Sequence, residues 1–171
     1  MATVNLQIGA GGDDAYYSTY MAAWAGGDYA RFGYDGMAAF DSWFRFTGVE
    51  IPAGCEITAA TLSLHAAYDD SGTTVNATIV GQDEDDAAQI TSAGEYEGMN
   101  WTMASTAWDD VGAWTTETWY DAPDLADVIQ EIIDRAGWQS GNAIGVAVQN
   151  NSSSEEAQRR PSCYESGASY A

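Results

Sequence analysis

The side chains best suited to chemistry are four consecutive carboxylates, Asp83, Glu84, Asp85 and Asp86, which follow a predicted strand. Carboxylate oxygens at this density suit Ca²⁺, which takes about six to eight oxygen ligands. The run is not an EF-hand loop, because Ala88 stands where that loop needs a glycine. The sequence leaves two interpretations open, a calcium site and a solvated acidic loop, and it requires no other cofactor.

A second group of candidate ligand-binding residues consists of the closely spaced tryptophans Trp101, Trp108, Trp114 and Trp119. An exposed indole ring can stack on the apolar face of a sugar ring, whereas a buried indole ring is part of the core. Trp101, Trp108 and Trp114 are the candidate glycan-stacking residues. Because large aromatic side chains are usually mostly buried, we expect most of the four to lie in the core.

Acid–base and zinc chemistry have few candidate residues in this chain. His65 is the only histidine, and strand alternation places it with Thr61 and Ser63 on the solvent-facing side of a strand. This makes a catalytic triad and a multi-histidine zinc site poor hypotheses. Two carboxylates could still hydrolyse a glycoside, but among 26 acidic residues the sequence singles out no pair. We therefore expect a protein that is not an enzyme, in which His65 is exposed and inert.

Two further residue types bear on covalent modification. Cys55 and Cys163 allow either one disulfide or two free thiols. Asn-x-Ser/Thr triplets are glycosylation acceptor sites only in a protein that crosses a membrane equipped with the right enzymes. Such triplets begin at Asn76, Asn100, Asn150 and Asn151.

The overall charge excludes two classes of partner. With 5 arginines, 26 acidic residues and no lysine among 171 residues, the net charge is −21. Such a surface repels phosphate backbones and anionic headgroups, so we expect no nucleic-acid binding and no membrane insertion. Hydrophobic residues make up 46% of the chain, which indicates a globular protein rather than an acidic disordered tail. The length is that of one domain, spanning 1–171.

The same charge predicts a dependence of stability on salt. Mutual repulsion of the carboxylates opposes folding in dilute buffer, and added salt screens this repulsion. We therefore expect the melting temperature to rise with ionic strength, as in a protein adapted to brine or mineral-rich surroundings. Calorimetry across a NaCl series would measure this, and a flat curve would contradict it.

The elements that must position these residues are mostly short strands. Residues 9–39 are rich in Gly, Ala and Tyr and are expected to form a long irregular excursion containing short strands. Residues 43–46 form a compact aromatic strand, in which Arg45 is expected to pair with a carboxylate of the helix or of the C-terminal segment. Residues 57–68 and 73–80 alternate with period two and are expected to form a hairpin through a turn at 69–72.

The remaining elements complete an antiparallel sandwich. Residues 83–100 are expected to form an acidic loop and residues 101–119 irregular extended segments. Apolar residues spaced three and four apart predict one amphipathic helix near 123–136, with Pro123 at its first position and Arg135 in its last turn. Strands at 144–148 and 158–164 follow. Many short strands and one helix favour an all-β, jelly-roll-like antiparallel β-sandwich.

Three stretches resemble the DNRLRE-type β-sandwich domains. They are 51–64 (Ile-Pro-Ala-Gly-Cys-Glu-Ile-Thr-Ala-Ala-Thr-Leu-Ser-Leu), 118–138 (Thr-Trp-Tyr-Asp-Ala-Pro-Asp-Leu-Ala-Asp-Val-Ile-Gln-Glu-Ile-Ile-Asp-Arg-Ala-Gly-Trp) and 164–168 (Tyr-Glu-Ser-Gly-Ala). The resemblance covers residues 40–170. Those domains are similar to a carbohydrate-binding-module family and to propeptide-like jelly-roll modules on secreted bacterial and archaeal surface proteins and in some phage structural proteins. The resemblance to DNRLRE-type domains implies one more strand after residue 171, supplied either by a longer chain or by a neighbouring subunit.

These observations lead to two functional expectations. The first is a non-enzymatic assembly subunit on an exterior surface: a virion structural or decoration protein, or an extracellular filament subunit, which forms homo-oligomers or contacts other subunits. The alternative is a carbohydrate-binding module of a secreted or cell-surface protein. Residues 1–12 lack the basic start and apolar run of a signal peptide. This favours the mature part of a longer precursor, or a virion component released by lysis.

Overall fold

The computed structural model describes residues 2–20, 23–25, 27–71 and 74–167. Its strands, in chain order, are β1 (Asp14–Ser18), β2 (Ala23–Ala25), β3 (Phe32–Tyr34), β4 (Ala39–Phe46), β5 (Ser63–His65), β6 (Ala77–Gln82), β7 (Trp101–Trp108), β8 (Trp119–Asp121), β9 (Ile144–Asn150) and β10 (Ala157–Arg159). Two helices interrupt them, α1 (Ala93–Glu97) and α2 (Ala126–Ile133). A short 3₁₀ turn, Tyr164–Ser166, follows β10.

The strands form two sheets. The larger has the order β10-β3-β4-β9-β6-β7, with β1 pairing β4 and β2, and the smaller consists of β5 and β8. The strand pairs within the described residues are antiparallel. One buried cluster combines Phe44 and Val146 of the larger sheet with Leu64 of the smaller sheet and Ile132 of α2. This packing confirms the predicted all-β antiparallel sandwich.

The amphipathic helix is confirmed in shorter form. Val128, Ile132 and Ile133 are buried, as the spacing predicted. Pro123 lies before the helix rather than at its first position. The helix begins only at Ala126, because the Asp124 side chain binds backbone N–H groups at this point. The Asp124 carboxylate accepts hydrogen bonds from the backbone N–H groups of Ala126 and Ala60, and so ties the start of α2 to the chain leading into β5.

The predicted hairpin of 57–68 and 73–80 is wrong. The regular strand in the first segment is β5, and it pairs with β8, while β6 lies between β9 and β7. Part of the predicted turn, at 72–73, lies outside the described residues. The alternating pattern indicated correctly that Leu62 and Leu64 are buried. It could not indicate which strand lies alongside, since alternation reports a face and not a neighbour.

Four further expectations are corrected or refined by the structure. Residues 101–108 form the regular strand β7 rather than irregular segments, because they pair along β6. The acidic segment 83–100 contains α1, whose Ser92 and Glu95 form a capping box. The Gly-rich segment 9–39 contributes β1 and β3, and both pair directly with β4. The C-terminal strand of 158–164 is β10, which is shorter and ends at Arg159.

Arg45 pairs with a carboxylate, as expected, but not with one from the helix or the C-terminal segment. Its guanidinium lies 2.7 Å from the carboxylate of Asp13, which directly precedes β1, and it also donates to the Ala87 carbonyl at 2.6 Å. The pairing of β1 with β4 brings Asp13 to this position. The ion pair therefore attaches the N-terminal part of the chain to the sheet.

Asp14, at the start of β1, is the basis of a pH prediction. Burial raises the pKa of its carboxyl from 3.8 to about 6, although the carboxylate accepts a 2.7 Å hydrogen bond from the Tyr164 N–H. A raised folded-state pKa gives a contribution to stability that is present below pH 3.8 and lost as the pH rises to about 6. Asn carries no charge to bury, so we expect Asp14→Asn to stabilise the protein at pH 7.5. Its free energy of unfolding should exceed that of the parent by up to about 3 kcal/mol.

Urea denaturation of both proteins at pH 4 and pH 7.5 measures this effect. The difference between variant and parent removes the contributions of the other carboxylates, because both proteins carry them. A difference that is the same at the two pH values would contradict the prediction.

Candidate functional site

A cleft lies between the N-terminal segment and the edge of β5. Its volume is about 330 Å³. The floor is apolar, with Phe44 and Phe46 of β4 and Leu62 and Leu64 at β5. The other lining residues are Val4, Asn5, Leu6, Gln7, Ile8, Thr61, Ser63, His65, Trp119 and Ser162.

The edge of β5 that faces this cleft is open at Thr61 and Ser63. On the opposite edge, the carbonyl of Leu62 accepts from the Ala122 N–H, and Leu64 pairs with Tyr120 of β8. Alternate residues of a strand direct their backbone groups to opposite edges. His65 uses the cleft edge, since its carbonyl accepts from the Ser162 N–H at 2.7 Å.

No backbone partner for Thr61 or Ser63 is present on this edge in the described part of the chain. An open strand edge beside an apolar floor is the arrangement that accepts an additional strand.

The N-terminal arm, residues 2–9, runs along the cleft without joining a sheet. None of these residues belongs to a described strand. Ile8 is buried, whereas Val4 is 39% and Leu6 37% exposed. The arm contributes apolar side chains to the cleft wall and leaves the neighbouring β5 edge unpaired.

The described residues that line the cleft are uncharged, although the Asp121 carboxylate accepts a hydrogen bond from Ser63 of this lining. None of its described lining residues is Asp, Glu, Lys or Arg, in a chain whose net charge is −21. Uncharged surface on such a protein is where another molecule can approach with the least electrostatic repulsion.

Trp119 stands at the rim and is 46% exposed. Its ring meets the imidazole of His65 edge to face, with centroids 5.2 Å apart. Beside it, the Ser63 hydroxyl donates to the Asp121 carboxylate at 2.5 Å. The exposed indole thus has polar groups on the same rim of the cleft.

The prediction that His65 is exposed is wrong. Its side chain is 6% exposed, and its Nδ1 lies 3.0 Å from the Ser162 Oγ. The reason is tertiary, because the segment after β10 crosses the end of β5 and pairs Ala66 with Pro161. His65 and Ser162 also line a second cleft of about 220 Å³. In such a pair the serine hydroxyl can act as a nucleophile and the imidazole as its base. Ser162 is itself buried, however, and its backbone N–H binds the His65 carbonyl, which holds the crossing segment against β5.

The acidic run has protein partners. Arg135, beyond α2, forms ion pairs with Asp83 and with Asp85, the latter at 2.7 Å. The Asp86 carboxylate accepts from the Ala143 N–H at 2.8 Å. Within the described residues, no group of three or more His, Cys, Asp or Glu side chains is placed to hold a metal ion. Asp83, Asp85 and Asp86 thus contact groups of the protein itself, Glu84 is not among these contacts, and calcium binding by the run remains a prediction.

The candidate glycan-stacking tryptophans are not the exposed ones. Trp114 is buried and stacks on Tyr120 with centroids 5.0 Å apart, so it belongs to the core. Trp108 is half-buried against Phe32 and Trp101 against Tyr96. Trp119 is in the same group of tryptophans but is not one of the three glycan-stacking candidates, although its alternation with Tyr120 across β8 is a signal that could have found it.

Asparagines and cysteines are placed as follows. Asn76 and Asn150 accept backbone hydrogen bonds through their side-chain oxygens, from Asp110 and Ser153 respectively. Asn100 and Asn151 are exposed, and glycosylation at any of the four remains a prediction. Both cysteines are free in this structure. The disulfide that the sequence allows is therefore not formed here, and burial raises the pKa of the Cys163 thiol.

Among the described residues, no helix is long and apolar enough to cross a membrane. Comparison with known proteins adds no relative, since no family model matches the chain and no curated protein matches it. The resemblance to DNRLRE-type domains therefore remains a hypothesis, and the functional conclusion depends on the cleft itself.

Proposed function

We propose that this protein is a non-enzymatic assembly subunit that works by contact on an exterior surface, as a component of a virion or an extracellular filament. The observation that carries the proposal is the open edge of β5 beside a cleft lined by apolar and uncharged polar side chains. Backbone groups at Thr61 and Ser63 face this cleft and can pair with an incoming strand. Strand addition supplies affinity through main-chain hydrogen bonds, and pockets for alternate side chains supply specificity.

The charge distribution supports the same conclusion. Two copies, each with a net charge of −21, repel one another over most of their surfaces. An approach through the cleft brings no carboxylate of its described lining into contact. Salt screens the remaining repulsion. The Debye length, the distance over which exposed charges still interact, falls from about 10 Å at 0.1 M to about 3 Å at 1 M ionic strength. Assembly should therefore be favoured at high ionic strength.

Light scattering coupled to size-exclusion chromatography tests this proposal. We expect a monomer in dilute protein at low salt, and oligomers or ordered polymers as the protein and NaCl concentrations rise. Electron microscopy of the scattering fraction would distinguish ordered particles from amorphous aggregate. A monomer under every condition, or only amorphous material, would overturn the proposal.

A second candidate function, glycan binding, is favoured by the exposure of Trp119 at the cleft rim. A sugar ring stacked there would lie beside the hydrogen-bonded pair of Ser63 and Asp121.

A glycan array followed by titration calorimetry tests the second candidate. If a glycan binds here, Trp119→Ala should weaken binding at least about tenfold, which corresponds to about 1.4 kcal/mol. Tyr20→Ala is the matched control, because Tyr20 is an exposed aromatic residue outside the cleft lining. Equal loss in both variants, or no glycan bound by the parent protein, would contradict this function.

A further inference from the structure

We propose that the N-terminal arm of one copy is the strand that fills the cleft of a second copy. Residues 4–8 of the first copy would pair with Thr61 and Ser63 of the second, and the exchange would be reciprocal in a dimer or run onward in a polymer. The inference rests on the proposed function and names the partner: another copy of this chain.

The arm has the pattern of a strand, but none of the described strands pairs with it. Val4, Leu6 and Ile8 alternate with Asn5 and Gln7, so apolar side chains lie on one face of an extended segment. In its own chain the arm is not part of a sheet, and Val4 and Leu6 remain more than one third exposed. A paired arm would satisfy its backbone groups and bury these two side chains, each of which stabilises the contact when covered.

The chain after the arm provides a pivot. Gly9 is not closely packed, since the nearest atom to an added Cβ would be the Thr47 hydroxyl at 3.9 Å, an ordinary van der Waals contact. Gly11 and Gly12 are packed closely, because a Cβ there would overlap Glu165 and Gln89. The Asp13 N–H donates to the Ala10 carbonyl, and Arg45 pairs with the Asp13 carboxylate, so the chain is held from Ala10 onward and the arm can leave its own cleft while β1 stays in the sheet.

Exchange keeps the apolar contacts and adds backbone pairing. An element that lies against its own chain can take the equivalent place on an identical copy, since the receiving surface is the same. The arm also suits a highly acidic partner, because residues 1–12 carry no charged side chain. The cleft that receives it has no acidic lining residue among those described. The contact therefore joins the uncharged parts of two mutually repelling molecules.

Mixing two cysteine variants tests the exchange directly. In a Cys55→Ser background, one protein carries Asn5→Cys and the other Ser63→Cys; both positions are exposed. They are mixed under the salt and protein concentrations at which scattering shows assembly, and then oxidised. We expect a disulfide-linked heterodimer on a non-reducing gel, at least about tenfold more abundant than with the control partner Asn151→Cys, which is exposed and outside the cleft lining.

A heterodimer no more abundant than the control would overturn the exchange. A double variant, Asn5→Cys with Ser63→Cys, gives a second outcome against the exchange. If its two cysteines form a disulfide within one chain under assembling conditions, the arm pairs with the β5 edge of its own chain and not with that of a second copy.

A second variant tests the arm without any disulfide. Leu6→Asp places a charge on the arm and should raise the protein concentration needed for assembly by at least about tenfold. Met103→Asp adds the same charge at a side chain that is 93% exposed on β7, and should leave that concentration within about twofold. Equal effects of the two variants would overturn the arm exchange. Absence of assembly in the parent protein overturns the proposed function instead, whereas assembly without the Asn5–Ser63 cross-link overturns only this inference.

Discussion

Replacing Arg159 with alanine is expected to lower the free energy of unfolding by about 3–5 kcal/mol. Arg159 is 1% exposed, and its guanidinium donates to the carbonyls of Val111, Gly112 and Gln158 at 2.7–2.8 Å. Burial lowers the pKa of this guanidinium, which shows that the charge is held at a cost by the surrounding structure. Alanine would leave a cavity and remove a donor from each of these carbonyls.

Urea denaturation with Arg159→Met and Arg135→Met as comparisons makes the prediction specific. Arg159→Met retains most of the apolar stem and removes only the donors, so its loss should be intermediate. Arg135 forms its ion pairs at the partly exposed surface, where such pairs contribute about 0–1 kcal/mol. A loss at Arg159 no larger than the loss at Arg135 would contradict the prediction.

The second large effect is expected at Gly33, where alanine should destabilise the protein by at least about 3 kcal/mol. Gly33 has φ of +114°, a conformation that residues with a Cβ rarely adopt. An added Cβ would lie 2.3 Å from the Ala157 carbonyl oxygen and 2.8 Å from the Gln158 Cα. Both are backbone atoms of β10, so relief of the overlap requires β3 and β10 to separate.

Gly48 supplies the matched control for this substitution. Its φ is +64°, and nothing lies within 4 Å of an added Cβ. Gly48→Ala therefore introduces only the left-handed backbone strain, about 1–2 kcal/mol. Denaturation of both variants separates the steric overlap from the dihedral cost. Equal destabilisation at the two glycines would mean that β10 can move away from β3 easily, contrary to the expectation.

Arg159 and Gly33 also help to position one wall of the cleft. Arg159 and Gly33 hold β10 in place, and the chain after β10 runs through Arg160 and Pro161 to Ser162. Arg160 adds an ion pair with the buried carboxylate of Asp70 at 2.5 Å. Substitutions that loosen β10 should therefore disturb the cleft as well as the fold, and assembly assays on them need a folded control such as Arg135→Met.

Local patterns predicted the faces of elements well. The apolar spacing of α2 selected its buried stripe, and alternation selected Leu62 and Leu64 as core residues. Arg45 was correctly expected to need a carboxylate. In each case, the pattern repeats within a few residues, and burial of that pattern is the dominant favourable term in folding.

The tertiary structure decided which elements are neighbours. The pairing of β1 with β4 places Asp13, rather than a carboxylate of the helix, beside Arg45. His65 became buried because the segment after β10 crosses it, and Trp119 stayed exposed while Trp114 was covered. The cleft itself joins residues 4–8 to β4, β5, Trp119 and Ser162.

The sequence by itself thus determined the all-β class, the buried stripe of the helix, the high negative charge and the scarcity of acid–base side chains. Only the tertiary structure decided that β5 pairs with β8, that its other edge stays open at Thr61 and Ser63, and that an uncharged arm lies beside that edge. The physical reason is that periodicity and composition are local properties, whereas strand pairing depends on the packing of segments that are distant in the chain.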